Sequence, residues 1–297
     1  MSREKCISGV PSRNSDPPQR VHSSMRIAMA LALASVAMGQ TPDAHEIVER
    51  SVKAGEENWK VARNYTFLER TEERHLDSEG KVKSREVKTY DITLLEGSPY
   101  ERLVARDDHP LPPAEEKKEK EKLDKSIAER MKETPAERER RIADYEKRRK
   151  REQETMHEVA EAFDFKIAGQ DRVDGREVWI VDAEPRRDYH ARSRDAKILP
   201  HVRGRLWIDQ TTFDWVKLDA TVIDSLTWGL FLVRLDKGAH IAIDETRVNE
   251  EVWLPRWISI TASARLGIFK QLRVQQETTY RNFRKFQTDS RIVENKF

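Results

Sequence analysis

Hydrophobic positions recur at two different periods along this chain, and the change of period marks its organisation. Ala44, Ile47, Val48, Ser51, Val52, Gly55 and Trp59 follow at helical spacing, which predicts one amphipathic helix ending near Lys60. Thr41, Pro42 and Asp43 supply its start: a capping hydroxyl, proline at the first helical position and acid in the first turn. The apolar stripe is expected to pack on a sheet.

Beyond the helix the period drops to two. Residues 64–75, with Tyr65, Phe67 and Glu69, lead into the turn Asp77-Ser78-Glu79-Gly80. Residues 82–95 return, Glu96-Gly97-Ser98-Pro99 turns again, and 100–106 make a third strand. Strand signals resume at 163–167 and continue through 177–183, 205–209, 215–223, 230–235, 241–248, 252–264 and 269–283. Ile258, Ile260, Ala262 and Ala264 alternate with Ser259, Thr261 and Ser263, and Val216, Leu218, Ala220 and Val222 do so with Lys217, Asp219 and Thr221. Such alternation means one covered face and one wet face, and short polar turns mean antiparallel neighbours. The expected fold is α+β: a curved antiparallel sheet of about ten strands, an N-terminal helix and a helical insertion.

That insertion, residues 114–162, is charged at 30 of 49 positions, split evenly between acid and base. Thr134-Pro135-Ala136-Glu137 reads as a capping box that divides it into two helices. Sparse apolar positions (Leu123, Ile127 and Met131; Ile142 and Tyr145; Met156, Val159 and Phe163) predict one narrow buried seam per helix. Solvated helices held by i,i+4 ion pairs are one reading, and a lid or partner-docking arm is the other.

Residues 1–39 read as an upstream extension and a signal peptide. Met25-Arg26 opens a basic start, 27–36 is apolar, and Ala37-Met38-Gly39 places small residues for cleavage. The start is open between Met1 and Met25. Without these residues the chain holds 50 basic and 51 acidic side chains, a balance that argues against nucleic acid as a partner. The single cysteine, Cys6, lies in the extension, so residues 40–297, expected to form one domain, have no disulfide and no lipid-anchoring cysteine. A periplasmic or secreted product follows, with only transient membrane contact.

The residues offer no catalytic signature. His45, His75, His109, His157, His190, His201 and His240 are scattered without metal-ligand spacing, and no nucleophile elbow or phosphate-cradling loop occurs. A non-enzymatic protein without metal or cofactor is expected. Two regions stand out instead. The basic loop 185–205 holds Arg186, Arg187, Arg192 and Arg194, a candidate contact for anionic head groups or an acidic partner. Leu226, Trp228, Leu230, Phe231 and Leu232 crowd large apolar side chains into seven residues.

The segment 204–212, Gly-Arg-Leu-Trp-Ile-Asp-Gln-Thr-Thr, followed by Trp215-Val216-Lys217-Leu218, resembles a recurring hairpin of the LolA/LolB-like superfamily of outer-membrane lipoprotein-sorting proteins. Gly175-Arg176-Glu177-Val178-Trp179 and Trp253-Leu254-Pro255-Arg256-Trp257 resemble two further strands of that family. The resemblance implies a half-barrel whose apolar cavity, between sheet and helices, carries acyl chains. No binding residue is carried over from the family; on the carrier reading Trp207, Trp228, Phe231 and Trp257 are the candidate ligand-lining residues, and a lipid acyl chain or lipoprotein the candidate cargo. The alternative is an envelope interaction protein with a filled cavity, acting on a partner protein through the charged helices 114–162.

Overall fold

The computed structural model describes residues 43–228, 233–266 and 270–286. The expected leader and Cys6 lie outside them, as does Phe231. Pro42–Phe297 makes one compact unit.

Helix α1 (Ala44–Ala62) is capped by the Asp43 carboxylate, which accepts the His45 N–H, so the cap stands two residues beyond the expected Thr41. Its buried residues, Ala44, Ile47, Val48, Ser51 and Val52, form one stripe at helical period. Strands β1 (Tyr65–Leu76), β2 (Val82–Leu95), β3 (Ser98–Arg106) and the short β4 (His109–Pro110) follow as a meander. Two of its turns need only two residues, both at positive φ: Glu96-Gly97 and Asp107-Asp108. That twist matches the strands it joins. Ser98 and Pro99, expected in the turn, therefore already belong to β3.

Helices α2 (Pro113–Met131) and α3 (Pro135–Ala162) form the charged insertion. The capping box is present: Thr134 and Glu137 exchange side-chain and backbone hydrogen bonds. The expected seams are present only in part: at the end of α3 Phe163 is buried with Val159 packed beside it and Met156 is half-buried, but α2 has no buried seam. No residue of α2 is buried and Met131 is 70% exposed, because α2 is held by hydrogen bonds instead of a core. Arg130 donates to the Ser98 carbonyl at 3.2 Å, and Arg141 of α3 donates to Ser98 Oγ at 2.6 Å and the Glu96 carbonyl at 3.0 Å.

The second half of the sheet comprises β5 (Phe163–Val173), β6 (Arg176–Pro185), β7 (Val202–Asp209), β8 (Trp215–Val222), β9 (Leu226–Trp228), β10 (Val233–Leu235), β11 (His240–Val248), β12 (Val252–Leu266) and β13 (Lys270–Lys285). A 3-10 helix, Asp195–His201, interrupts the basic loop. All thirteen strands join one open antiparallel sheet in the order β4-β3-β2-β1-β13-β12-β11-β8-β7-β6-β5, with the β9–β10 hairpin added beside β12. The long β1–β13 pairing ties the two meanders together. The fold is thus the expected α+β curved half-barrel, with α1 lying on one face. Ile47 and Val48 of α1 pack there with Trp179, Val181, Leu206 and Ile208, the main core cluster.

Candidate functional site: a cavity under the helices

Helix α1, the middle of α3 and the inner face of the sheet enclose a cavity of about 600 Å³. Its apolar wall comes from Trp59 of α1, Phe67 of β1, Ile92 of β2, Trp215 of β8, Trp253 of β12 and Met156 of α3. Ladder irregularities help to build it. The β7–β8 register slips between Trp207 and Ile208, setting Trp215 opposite Ile208, a residue of the α1-facing core. The β11–β12 register slips at Arg256, so that Glu245 pairs with Pro255 and both line the cavity.

Its mouth is electrostatically latched. The Arg149 guanidinium of α3 lies 4.1 Å from the centroid of the Trp59 ring and donates to Glu152 at 2.8 Å. Arg63, just after α1, donates to Glu146 at 2.7 Å, and His157 pairs with Glu56. The interior holds acids instead. Burial raises the Glu245 carboxyl to about 8, with the nearby Asp214 adding to the shift. Burial also raises Asp214 and Glu69, the latter with help from Glu101. Burial without a cation beside it disfavours the charged form of the Glu245 carboxyl.

No family model matches the chain, and no curated protein matches it. Solved structures do. The chain is similar to LolA-superfamily structures. One is a domain described as an outer-membrane lipoprotein-sorting protein from Vibrio parahaemolyticus, at 10% identity, 82% coverage of this chain, 95% of that one and a TM-score of 0.34. Another is a LolA superfamily protein from Nitrosomonas europaea, at 7%, 83%, 94% and 0.31. The MucA/MucB complex of Pseudomonas aeruginosa also matches, at 12%, 83%, 100% and 0.23. These overlaps are low, and what the cavity does rests on its own residues.

The expected ligand-lining residues are not the ones that line this cavity. Leu206 and Ile208 face α1, whereas Trp207 packs in the cluster of Val173, Val178, Val216 and Trp253 and does not itself line the cavity. Trp257 pairs with Thr279, next to the Ile258–Thr278 pair, and Thr278 shares a face with Thr71 and hence with Glu69. Trp257 therefore also faces away from the cavity, donating its indole N–H to Glu277 at 2.8 Å. Trp228 is placed by its backbone alone, at the end of β9. The inner wall is drawn instead from Trp59, Phe67, Trp215 and Trp253.

The basic loop lies elsewhere too. Arg186 pairs with Asp188 at 3.0 Å, and Arg192 makes a bidentate pair with Glu161 at 2.6 and 2.8 Å. Arg187 and Arg194 are exposed. Buried Glu158 of α3 fastens the loop, accepting the Tyr189 hydroxyl at 2.5 Å and the backbone N–H groups of Arg192 and Ser193 at 2.8 and 3.1 Å. Two of the four arginines are thus spent on structure. Among the described residues, no three His, Cys, Asp or Glu side chains gather as a metal would require, and no helix is long and apolar enough to cross a membrane.

One signal in the sequence pointed to the acid interior. Ile241, Ile243 and Glu245 alternate along one strand, so a carboxyl stands where an inward apolar side chain is due.

Proposed function

We propose that this chain is an exported, non-enzymatic envelope protein that binds a lipid-like ligand or lipidated partner in the cavity under α1 and α3. The observation that carries the reading is the cavity itself, about 600 Å³ and walled by Trp59, Phe67, Trp215, Trp253 and Met156. Its volume falls in the range of small-molecule sites, roughly 300–1,000 Å³. Each methylene moved from water into such a wall contributes about 0.8 kcal/mol, so even part of an acyl chain supplies useful affinity. Release is served by the same design. The roof is a polar helix held at its mouth by ion pairs and one cation–π contact, interactions that break at modest cost in water.

Titration with a fluorescent acyl probe, read by energy transfer from the wall tryptophans, tests the reading. Saturable binding that unlabelled lipid displaces, and that a cavity-filling Met156→Trp variant abolishes while remaining folded, is expected. Equal binding by the filled variant, or none by the wild type, would refute it.

A further inference from the structure

We propose that the carboxyl-lined side of the cavity receives a protonated amine, so that the ligand is a cationic amphiphile with an apolar body and an ammonium group. The inference rests on the cavity being a ligand site and names the class of head group it takes.

The first argument is the balance of charge in the wall. Glu56, Glu152, Arg63 and Arg149 all have partners of opposite sign. Glu245, Asp214, Glu69 and Glu101 then remain without a close ion pair among the described residues, with Arg247 acting on Asp214 from a distance and the exposed Arg148 at the rim. The wall as it stands calls for positive charge.

Unmet polar atoms give the second argument, independent of charge. Glu245 is half-buried, lines the cavity and accepts no hydrogen bond among the described residues. Ser51 is fully buried on α1, lines the same cavity, and its hydroxyl has no partner. A helical serine ordinarily returns its hydroxyl to the carbonyl four residues back, and buried polar groups are nearly always satisfied. An ammonium offers three donors and no acceptor, which suits the Glu245 carboxylate or the Ser51 oxygen and leaves the unpaired indole N–H of Trp253 for an acceptor. A ligand carboxylate would add a further acid to a wall that already holds its own acids above their ordinary range.

Aromatic rings supply the third. Trp215 adjoins Asp214 and shares the wall with Glu245, and no cation lies over its ring among the described residues. Arg149 over Trp59 shows the arrangement in the same cavity. An ammonium between an indole face and two carboxyls gains both attractions in a desolvated place. As it enters, Glu245 releases its proton to solvent. No covalent step is involved.

Isothermal titration at neutral pH, with dodecylamine, dodecanol and dodecanoic acid below their aggregation concentrations, tests this. Dodecylamine is expected to bind about tenfold tighter than dodecanoic acid. Its heat should vary with buffer ionisation enthalpy, reporting proton release. Glu245→Gln, close in shape to the protonated acid, should weaken dodecylamine about tenfold, leave dodecanol within about twofold, and abolish the proton release. Dodecanoic acid binding as tightly as the amine, or amine affinity unchanged in Glu245→Gln, would overturn the assignment and leave the lipid site standing. Binding of none of the three would overturn the site as well.

Discussion

The guanidinium of Arg149 stacks 4.1 Å from the centre of the Trp59 ring, joining the charged insertion to the N-terminal helix at the mouth of the cavity. Such a contact contributes about 0.5–1 kcal/mol where solvent reaches it. It is the roof's clasp and not part of the main core. Arg149→Ser is expected to leave thermal stability within a few degrees of wild type while speeding amide exchange across residues 145–156. Acyl-probe dissociation should quicken several-fold. Unchanged exchange there would show that the roof is held by something else.

Glu158 does for the basic loop what Arg149 does for the mouth. Burial raises its carboxyl, but Tyr189 and the N–H groups of Arg192 and Ser193 outweigh that and hold it below its ordinary value. Hydrogen bonds to a charged group contribute about 1.5–3 kcal/mol. Glu158→Ala should therefore destabilise by about 2–4 kcal/mol, lower the denaturant midpoint, and expose the loop to proteolysis near Arg187 and Arg194. A midpoint equal to wild type would refute the staple.

Two acids give stability opposite pH slopes. Arg85 hydrogen bonds, with Arg70 and Arg74, overcome burial and hold Glu72 down at about 2. Its folded pKa is depressed, so its contribution is present above about 4.5 and is lost as pH falls toward 2. Glu245 has the reverse sign. With a folded pKa of about 8, the native state holds a proton the unfolded chain does not, so stability falls as pH rises from about 4.5 to 8, by at most about 1.4 kcal/mol per pH unit. Chemical denaturation of wild type and Glu245→Gln across that window checks it. The variant should lose the downward slope and gain stability relative to wild type at pH 8. Parallel curves would contradict the assignment.

Gly97 meets two demands at once. Its φ of +85° suits the two-residue turn, and a Cβ there would stand 3.0 Å from Ile142 Cδ1 of α3. A left-handed conformation alone costs an alanine about 1–2 kcal/mol. Gly97→Ala should cost at least that, and pairing it with Ile142→Ala should recover only the steric part. Full recovery in the double variant would mean that the turn bears no strain.

Much of the fold was legible because local signals agreed. The turns at Gly80 and Gly97, the capping box at Thr134 and the strand through Ile258–Ala264 are read from adjacent residues, and each stands where expected. The cavity was less legible, since its wall is assembled across distant strands. Leu206 and Ile208 flank Trp207, and Ser259 follows Trp257 at period two, so alternation alone sets both tryptophans away from the apolar face. The slip at Arg256 then brings Glu245 against Pro255, a register decided by pairing that no single segment reveals. The seam expected on α2 failed for a related reason. Arginine bonds to the exposed carbonyls of the β2–β3 turn replace apolar packing, and sequence spacing does not report which carbonyls stand free.

The most direct test of the ligand site is native mass spectrometry of the protein purified without detergent. A lipid-sized adduct on the wild type, absent from a folded Met156→Trp variant, is the predicted result. A clean apo mass that persists after incubation with lipid vesicles and with long-chain amines would contradict it.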